Sequence, residues 1–438
     1  MTTVPAPLVR PPGPRGHRFF GNVVDYDKDR VAFLERCRRE YGDVFSFDPR
    51  TVVIADPALI HDILSRTNDD FLAETVPLAV RTDEEETAAG AELWMSARRR
   101  GWRGLNRTVA EAHALRLRAI FDRSLRQAGP GDVDVLAVMK DYFGRAIADF
   151  CVSRDAEGLP AVIAENTEAL DPLSRSSYMV PQWWPSRRVR RFVRAREATV
   201  AAMTEVVRRR KAAGPPAADT APDLLDVLLA ADAPALSDLQ VERLIRGIML
   251  AAYGVPAAAL TWIVHDLVAY PEVRRAVEQE AAAHDTQVAP STTSLPYTEA
   301  FVKEVLRLRP PTWLIGRTAR RATTLGEWRL DRGDQVLFSL YALHRDERWW
   351  RDPEAFDPQR WLEPRAQLQR HTYLPFGAGP RVCVGTQLGM IQLVLSTFWL
   401  VREYDVSIAP GNGGTPDFGG LLTPQGLTAR FHRRAGQQ

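Results

Sequence analysis

The stretch Phe376-Gly377-Ala378-Gly379-Pro380-Arg381-Val382-Cys383-Val384-Gly385 decides how this chain is interpreted. It places one cysteine in a glycine-rich loop, just before an apolar run of helical period that begins at Leu388. Glycine lets the backbone turn tightly and approach a flat group without Cβ clashes, so that amide N–H groups can point at the sulfur. Arg381 can supply positive charge to a carboxylate or to the thiolate. A lone cysteine in a turn is more often a buried structural residue, but the whole pattern predicts a metal thiolate site.

A second motif lies upstream of the loop. Glu304 and Arg307 are three residues apart, which puts them on one face of a helix that ends at two prolines. An ordinary surface ion pair would have the same spacing and would contribute little. The segment Phe356–Trp361 adds a further arginine, Arg360.

The complete loop pattern and the Glu-x-x-Arg motif together resemble the cytochrome P-450 family. That family binds haem b, iron protoporphyrin IX, through a cysteine thiolate. The resemblance implies that Cys383 is the axial iron ligand. The members of the two motifs then take their implied roles: Phe376, Arg381, Cys383 and Gly385 bind the cofactor, and Glu304, Arg307 and Arg360 form a buried structural network.

The same resemblance implies residues that bind the haem propionates. The family usually has a Trp or His followed four residues later by Arg. Trp102 is followed at that distance by Asn106, with Arg107 one residue further on. We therefore assign Trp102 and Arg107, with Arg103 or another residue as an equal alternative. Arg317 resembles another propionate-binding position, and Arg381 a third. Arginine suits this role because its planar fork binds carboxylates bidentately.

A nearly uniformly apolar stretch from 248 to 267 predicts a long buried helix. The family usually shows Ala-Gly-x-acid-Thr-Thr here, and the resemblance places Gly254 at the acid and Val255 at the alcohol. In most members these two catalytic positions relay protons, and both side chains are absent here. Pro256 removes one helix hydrogen bond and predicts a kink whose carbonyls could hold water. Alternatively, polar groups of the substrate supply the proton relay, or the enzyme needs no relay.

The substrate pocket, by analogy of position, is formed by Tyr253, Val255, Thr312, Trp313 and Leu422. The implied activity is that of a haem-thiolate oxidase or monooxygenase acting on a mid-sized, mostly apolar organic molecule in secondary metabolite biosynthesis. The missing relay favours an oxidative coupling or cyclisation. A peroxide-using or isomerase-type enzyme and a non-catalytic haem-binding partner protein remain open as alternatives.

Partners follow from what the chain lacks. About 50 residues follow the loop, too few for a flavin or ferredoxin domain. Electrons would therefore come from NAD(P)H through a separate ferredoxin and ferredoxin reductase, with dioxygen as co-substrate. Arginines near Trp102 are expected to dock an acidic ferredoxin. The arginine clusters at 98–107 and 187–196 carry no nucleic-acid signature, so solvated helix faces are the simpler interpretation and no nucleic acid is expected.

The expected fold is mainly α with small β-sheets: the cytochrome P-450 fold, with haem between a long central helix and the cysteine loop. Residues 1–22 form a Pro-rich N-terminal segment and 23–438 one catalytic domain. Local patterns predict a helix over 30–40, strands at 44–47 and 52–55, and a hairpin over 328–339. Three scattered cysteines, no signal peptide and no run of about 18 uncharged apolar residues predict a cytoplasmic protein without a membrane segment.

Overall fold

A computed structural model describes residues 10–73, 95, 98, 105, 107–175, 177, 186–217, 220–230, 236–285, 290–362 and 370–434. The helices are α1 Val23–Lys28, α2 Arg30–Tyr41, α3 Pro57–Ser65, α4 Arg107–Ala112, α5 Ala114–Ala128, α6 Val135–Val152, α7 Leu159–Ser174, α8 Arg187–Ala213, α9 Leu224–Leu229, α10 Asp238–Ala269, α11 Pro271–Ala282, α12 Pro296–Leu308, α13 Leu340–Leu343 and α14 Thr386–Glu403. The strands are β1 Val44–Asp48, β2 Thr51–Ile54, β3 Phe71–Ala73, β4 Val133–Asp134, β5 Leu314–Ala319, β6 Thr323–Leu325, β7 Trp328–Leu330, β8 Gln335–Ser339, β9 Tyr404–Ser407, β10 Thr415–Phe418, β11 Leu422–Gln425 and β12 Thr428–Arg433. The expected class, mainly α with small sheets, is confirmed.

Helix α10 is the centre of the core. Ser237 and Gln240 form a capping box at its start, and Tyr270-Pro271 ends it. It packs against α6, α8 and α14. By length and composition alone α10 could cross a membrane, but two thirds of its most apolar stretch is buried inside the protein (67%). Burial on several sides explains why its sequence is apolar nearly all round.

Four small sheets lie in the part of the chain that the structure describes. The largest has the order β1-β2-β8-β5-β3, and β10 and β11 form a separate two-stranded hairpin. The predicted helix over 30–40 and the β1–β2 hairpin are confirmed. The predicted hairpin over 328–339 is wrong, because β7 pairs with β6 while β8 lies between β2 and β5. All five residues of β8 are buried, which suits an interior strand.

Candidate active site

The cysteine loop is shaped by backbone hydrogen bonds and two left-handed glycines. Cys383 N–H donates to the Phe376 carbonyl at 2.8 Å, which closes the loop on itself. Gly377 and Gly379 have φ values of +68° and +71°. A Cβ on Gly379 would lie 2.1 Å from the Leu64 carbonyl oxygen at the end of α3. The loop is therefore pressed against α3, and no other residue type fits at 379.

Cys383 is the exposed one of the chain's three cysteines, whereas Cys37 and Cys151 are buried. Burial among protein atoms raises the pKa of the Cys383 thiol. The Gly385 N–H, the charge of Arg98 and the Thr386 hydroxyl act in the opposite direction. Each of these three groups favours the thiolate, which is the form that binds metal.

Arg98 is a site residue that sequence reasoning missed. Arg98 is 5% exposed, and its guanidinium donates to the carbonyls of Pro380, at 2.7 Å, and Val382. The signal was present, because Trp94 stands four residues before Arg98 and so satisfies the Trp-x-x-x-Arg spacing. Trp102 and Arg103 lie outside the described residues. The structure gives Arg107 other partners, Glu111 at 2.9 Å and Thr292 at 2.6 Å.

Three arginines from distant parts of the chain converge beside the loop. Arg381 donates to the Asn68 side chain at 2.8 Å, and Arg317 donates to the neighbouring Thr67 hydroxyl at 3.1 Å. Burial, and then the charge of Arg98, lower the pKa of Arg381 below its usual range. Clustered like charges in a partly buried place favour an anion beside them, and guanidinium groups bind carboxylates bidentately.

The described residues fit a haem. None of them form a group of three or more His, Cys, Asp and Glu that could hold a metal ion. A metal at Cys383 would therefore need its remaining ligands from elsewhere, as a porphyrin provides. Arg98, Arg317 and Arg381 are opposite in charge to two propionates, and donors from the loop oppose the rise in the thiol pKa that burial causes. Phe376 packs beside Gly389 of α14, where a Cβ would lie 3.7 Å from the ring.

The structure brings Glu304, Arg307 and Arg360 together behind the loop. Glu304 and Arg307 are fully buried and form a bidentate pair, with N–O distances of 2.9 and 2.8 Å. Arg360 Nε donates to the same carboxylate at 3.1 Å, as do the backbone N–H of Asp357 and the indole N–H of Trp361, both at 2.9 Å. The buried charges are thus paired and hydrogen-bonded on all sides.

The arginine of this network also anchors chain segments that frame the cysteine loop. Arg307 donates to the carbonyls of His344, Pro353 and Ala355 at 2.6 to 2.9 Å. His344 Nδ1 donates back to the Arg307 carbonyl at 3.2 Å, and its Nε2 accepts from Leu374 N–H at 3.0 Å. Burial lowers the pKa of His344 to about 3, so its ring is neutral. The network therefore fixes the position where the loop begins.

Helix α10 presents different faces at the two positions of the usual relay. Val255 is 36% exposed. Gly254 is buried, and a Cβ there would lie 3.3 Å from Leu421 Cδ1 and 4.0 Å from Thr167 Cγ2. Tyr253 packs against Gly144 of α6 and is 4% exposed. Because residues two apart on a helix point about 200° apart, Tyr253 and Val255 cannot line the same space. The ring of Tyr253 faces α6.

The remaining predicted pocket residues lie around the β10–β11 hairpin. Trp313 is 2% exposed and donates to the Gly419 carbonyl at 3.4 Å, and Leu422 is 1% exposed. Thr312 is partly exposed, as is Leu421, the hairpin residue that covers Gly254. Leu421, rather than Leu422, contacts Gly254. Successive residues of an extended chain face opposite sides.

Comparison with known proteins gives a consistent result. The family model for cytochrome P-450 matches residues 11–428. A cyclooctat-9-en-7-ol 5-monooxygenase from Streptomyces melanosporofaciens is 34% identical over 51% of this chain and 49% of its own, and a steroid 17-alpha-hydroxylase/17,20 lyase from Squalus acanthias is 30% identical over 44% and 42%. The chain thus spans about half the length of the curated relatives it matches. The retinoic-acid-bound cyanobacterial CYP120A1 has the same fold, with a TM-score of 0.81 at 20% identity, covering 98% of this chain and all of the other.

Proposed function

Because this chain belongs to the cytochrome P-450 family, we propose that it is a haem-thiolate monooxygenase. The observation that carries the proposal is the loop at 376–385, whose cysteine is exposed and whose carbonyls are held by Arg98. Cys383 would bind the iron, and Arg98, Arg317 and Arg381 would bind the propionates, so we move this role from Arg107 to Arg98. When bound, the haem supplies dioxygen activation, which a thiolate ligand favours.

The proposed substrate is a mid-sized, mostly apolar organic molecule, and the reaction belongs to secondary metabolism. Relatives named for a steroid and for cyclooctat-9-en-7-ol support this class. The apolar side chains of Val255 and Leu421 support it as well. Since Gly254 and Val255 carry neither a carboxyl nor a hydroxyl group, we favour an oxidative coupling or cyclisation. We further propose a cytoplasmic protein that takes electrons from NAD(P)H through a ferredoxin and its reductase.

The spectrum of the ferrous-CO complex tests the iron ligand. The purified protein should show the strongly red-shifted Soret band of a thiolate complex, and Cys383→Ala should lose it while Cys37→Ala keeps it. A Cys383→Ala protein that retains the band would end the proposal. A screen for ligands that change the iron spin state would then identify the substrate class.

A peroxide-using or isomerase-type enzyme is the second candidate. It is favoured by the same two residues, Gly254 and Val255, because such an enzyme needs no protons delivered to dioxygen. Product formation with a ferredoxin, its reductase, NAD(P)H and air distinguishes the two. Turnover that requires all four supports the monooxygenase, and turnover with hydrogen peroxide alone, or with no oxidant, supports the second candidate.

A further inference from the structure

Three exposed arginines lie on one side of the first two turns of α8. Arg187, Arg190 and Arg194 are spaced by three and four residues, which places them next to each other along the helix. We call these three residues the arginine face. Arg188, beside it, is exposed as well. The opposite side of α8 is buried against α7 and α10. The arginine face therefore points away from the core.

The charge of the arginine face is not neutralised by neighbouring acids. In the part of the chain that the structure describes, no acidic side chain lies within ion-pair distance of its three members. The acids of α7, Glu165 and Glu168, lie 2.8 and 3.9 Å from Arg191 instead. Arg194 donates to a backbone carbonyl, that of Arg190, at 3.3 Å. Three positive charges within two helical turns are thus presented to solvent.

Folding does not account for this concentration of charge. The first turn of α8 contains no acidic residue, although negative charges are the ones that the N-terminal end of a helix dipole favours. Like charges three and four residues apart repel each other. The N-cap hydrogen bond comes from Ser186 to Val189 N–H and needs no arginine. Binding to an anionic partner therefore explains the arginine face better than helix stability does.

The surroundings of the arginine face favour an acidic protein as this partner. Guanidinium groups one turn apart can each bind a carboxylate bidentately, so they match acidic side chains that repeat at a similar spacing. A helix that lies on a membrane combines a basic side with an apolar side that enters the lipid. The apolar side of α8, with Val189, Met203 and Val206, is buried inside the protein instead. The arginine face also has no aromatic side chain on which nucleic-acid bases could stack.

We propose that the arginine face of α8 docks an acidic protein, which presents Asp and Glu side chains along one helix or one edge. Charge complementarity of this kind steers the encounter and fixes the orientation of the complex. The cysteine loop belongs to another part of the fold, because it is pressed against α3 and leads into α14. The partner is therefore distinct from the electron donor expected beside the loop, and the proposal goes beyond the proposed function.

A triple variant, Arg187→Gln with Arg190→Gln and Arg194→Gln, tests the proposal. The matched control changes the net charge equally, at three exposed arginines on other elements that form no ion pair with a described residue. The control substitutions are Arg15→Gln, Arg39→Gln and Arg123→Gln. Both variants should keep the thiolate band. The thermal midpoint of the arginine-face variant should be at least that of wild type, because the substitutions relieve repulsion.

The probe is a labelled helical peptide with glutamates three and four residues apart, and a scrambled peptide of the same composition tests the spacing. At low salt, wild type and the control variant should bind the helical peptide roughly tenfold more tightly than the arginine-face variant does. Wild type should prefer the helical over the scrambled peptide, and its affinity should fall as salt increases. Phosphatidylglycerol vesicles and a 20-base-pair DNA duplex are titrated in parallel.

Four results would overturn the proposal. They are equal peptide affinities of the two triple variants, wild-type binding that is absent or no tighter for the helical than for the scrambled peptide, a larger loss for vesicles or DNA than for the peptide, and a lower thermal midpoint of the arginine-face variant, which would make these arginines structural. Absence of the thiolate band from wild type would refute the proposed function and leave the peptide result as it stands.

Discussion

An aspartate introduced at Gly254 should destabilise this protein, although an acid is what most of the family has at this position. A Cβ on Gly254 would lie 3.3 Å from one methyl group, Leu421 Cδ1, and 4.0 Å from another, Thr167 Cγ2. Neither methyl can hydrogen-bond to a carboxylate. The Thr167 hydroxyl already donates to the Ile163 carbonyl at 3.0 Å.

The magnitude is best measured against Gly254→Ala, which adds the same Cβ without the charge. Alanine gains up to about 1 kcal/mol of helix propensity over glycine, and the tight contact with Leu421 offsets part of that gain. Aspartate loses about 0.5 kcal/mol relative to alanine in helix propensity and about 1 to 3 kcal/mol in unreplaced hydration. The aspartate variant should therefore be about 1.5 to 3.5 kcal/mol less stable than the alanine variant.

The dependence of this difference on pH tests its cause. A hydration penalty of about 1 to 3 kcal/mol raises the pKa of the introduced carboxyl by roughly one to two units in the folded state. The penalty is complete above that raised pKa and disappears as pH falls toward the unfolded value of about 3.9. The two variants should differ most in thermal midpoint at pH 8 and converge toward pH 4. A difference that is absent at pH 8, or that stays constant with pH, would refute the apolar environment of Gly254.

The charged groups near the loop make three more expectations testable. Arg307→Lys should lower the free energy of unfolding by about 3 to 5 kcal/mol in denaturant titrations, because it breaks a buried pair. Arg191 forms a bidentate but half-exposed pair with Glu165, so the control Arg191→Lys should leave the denaturation midpoint unchanged. Arg381→Gln should speed haem transfer to apomyoglobin, and an unchanged rate would contradict its assignment to a propionate. In the apoprotein, Cys383 should react with iodoacetamide more slowly than a free thiol at pH 8, because burial raises the pKa of the Cys383 thiol. The reaction should become faster at higher pH. A rate at pH 8 equal to that of a free thiol would contradict the raised pKa.

Short motifs with a fixed spacing could be interpreted from the sequence alone. Glu304 and Arg307 share a helix turn, so their meeting needs only local geometry. Their burial does not follow from spacing. It depends on carbonyls of Pro353 and Ala355 and on the indole of Trp361, which come from a later segment with no regular pattern.

Positions defined by packing could not be predicted in this way. Arg107 was predicted because it follows Trp102, whereas the contacts of Arg98 with the loop carbonyls became visible only in the structure. Tyr253 was predicted to line the pocket by analogy of position, and the structure packs its ring against Gly144 of α6. Which face of a uniformly apolar helix is accessible depends on its neighbours, and apolar periodicity carries no such information.

The departures from the family pattern in α10 are mutually consistent. Without a carboxylate at 254, Leu421 of the hairpin can pack directly on the helix. Leu421 then occupies the space beside residue 254 that a charged group would need for its hydration. Without a hydroxyl at 255, no side chain competes for the helix carbonyls nearby, and Pro256 removes the backbone donor as well. The result is a helix surface that carries neither a carboxyl nor a hydroxyl group at these two positions. A surface of this kind suits a substrate that carries its own N–H or O–H proton, and it explains why restoring Gly254→Asp and Val255→Thr together should not raise the ratio of product formed to NAD(P)H consumed.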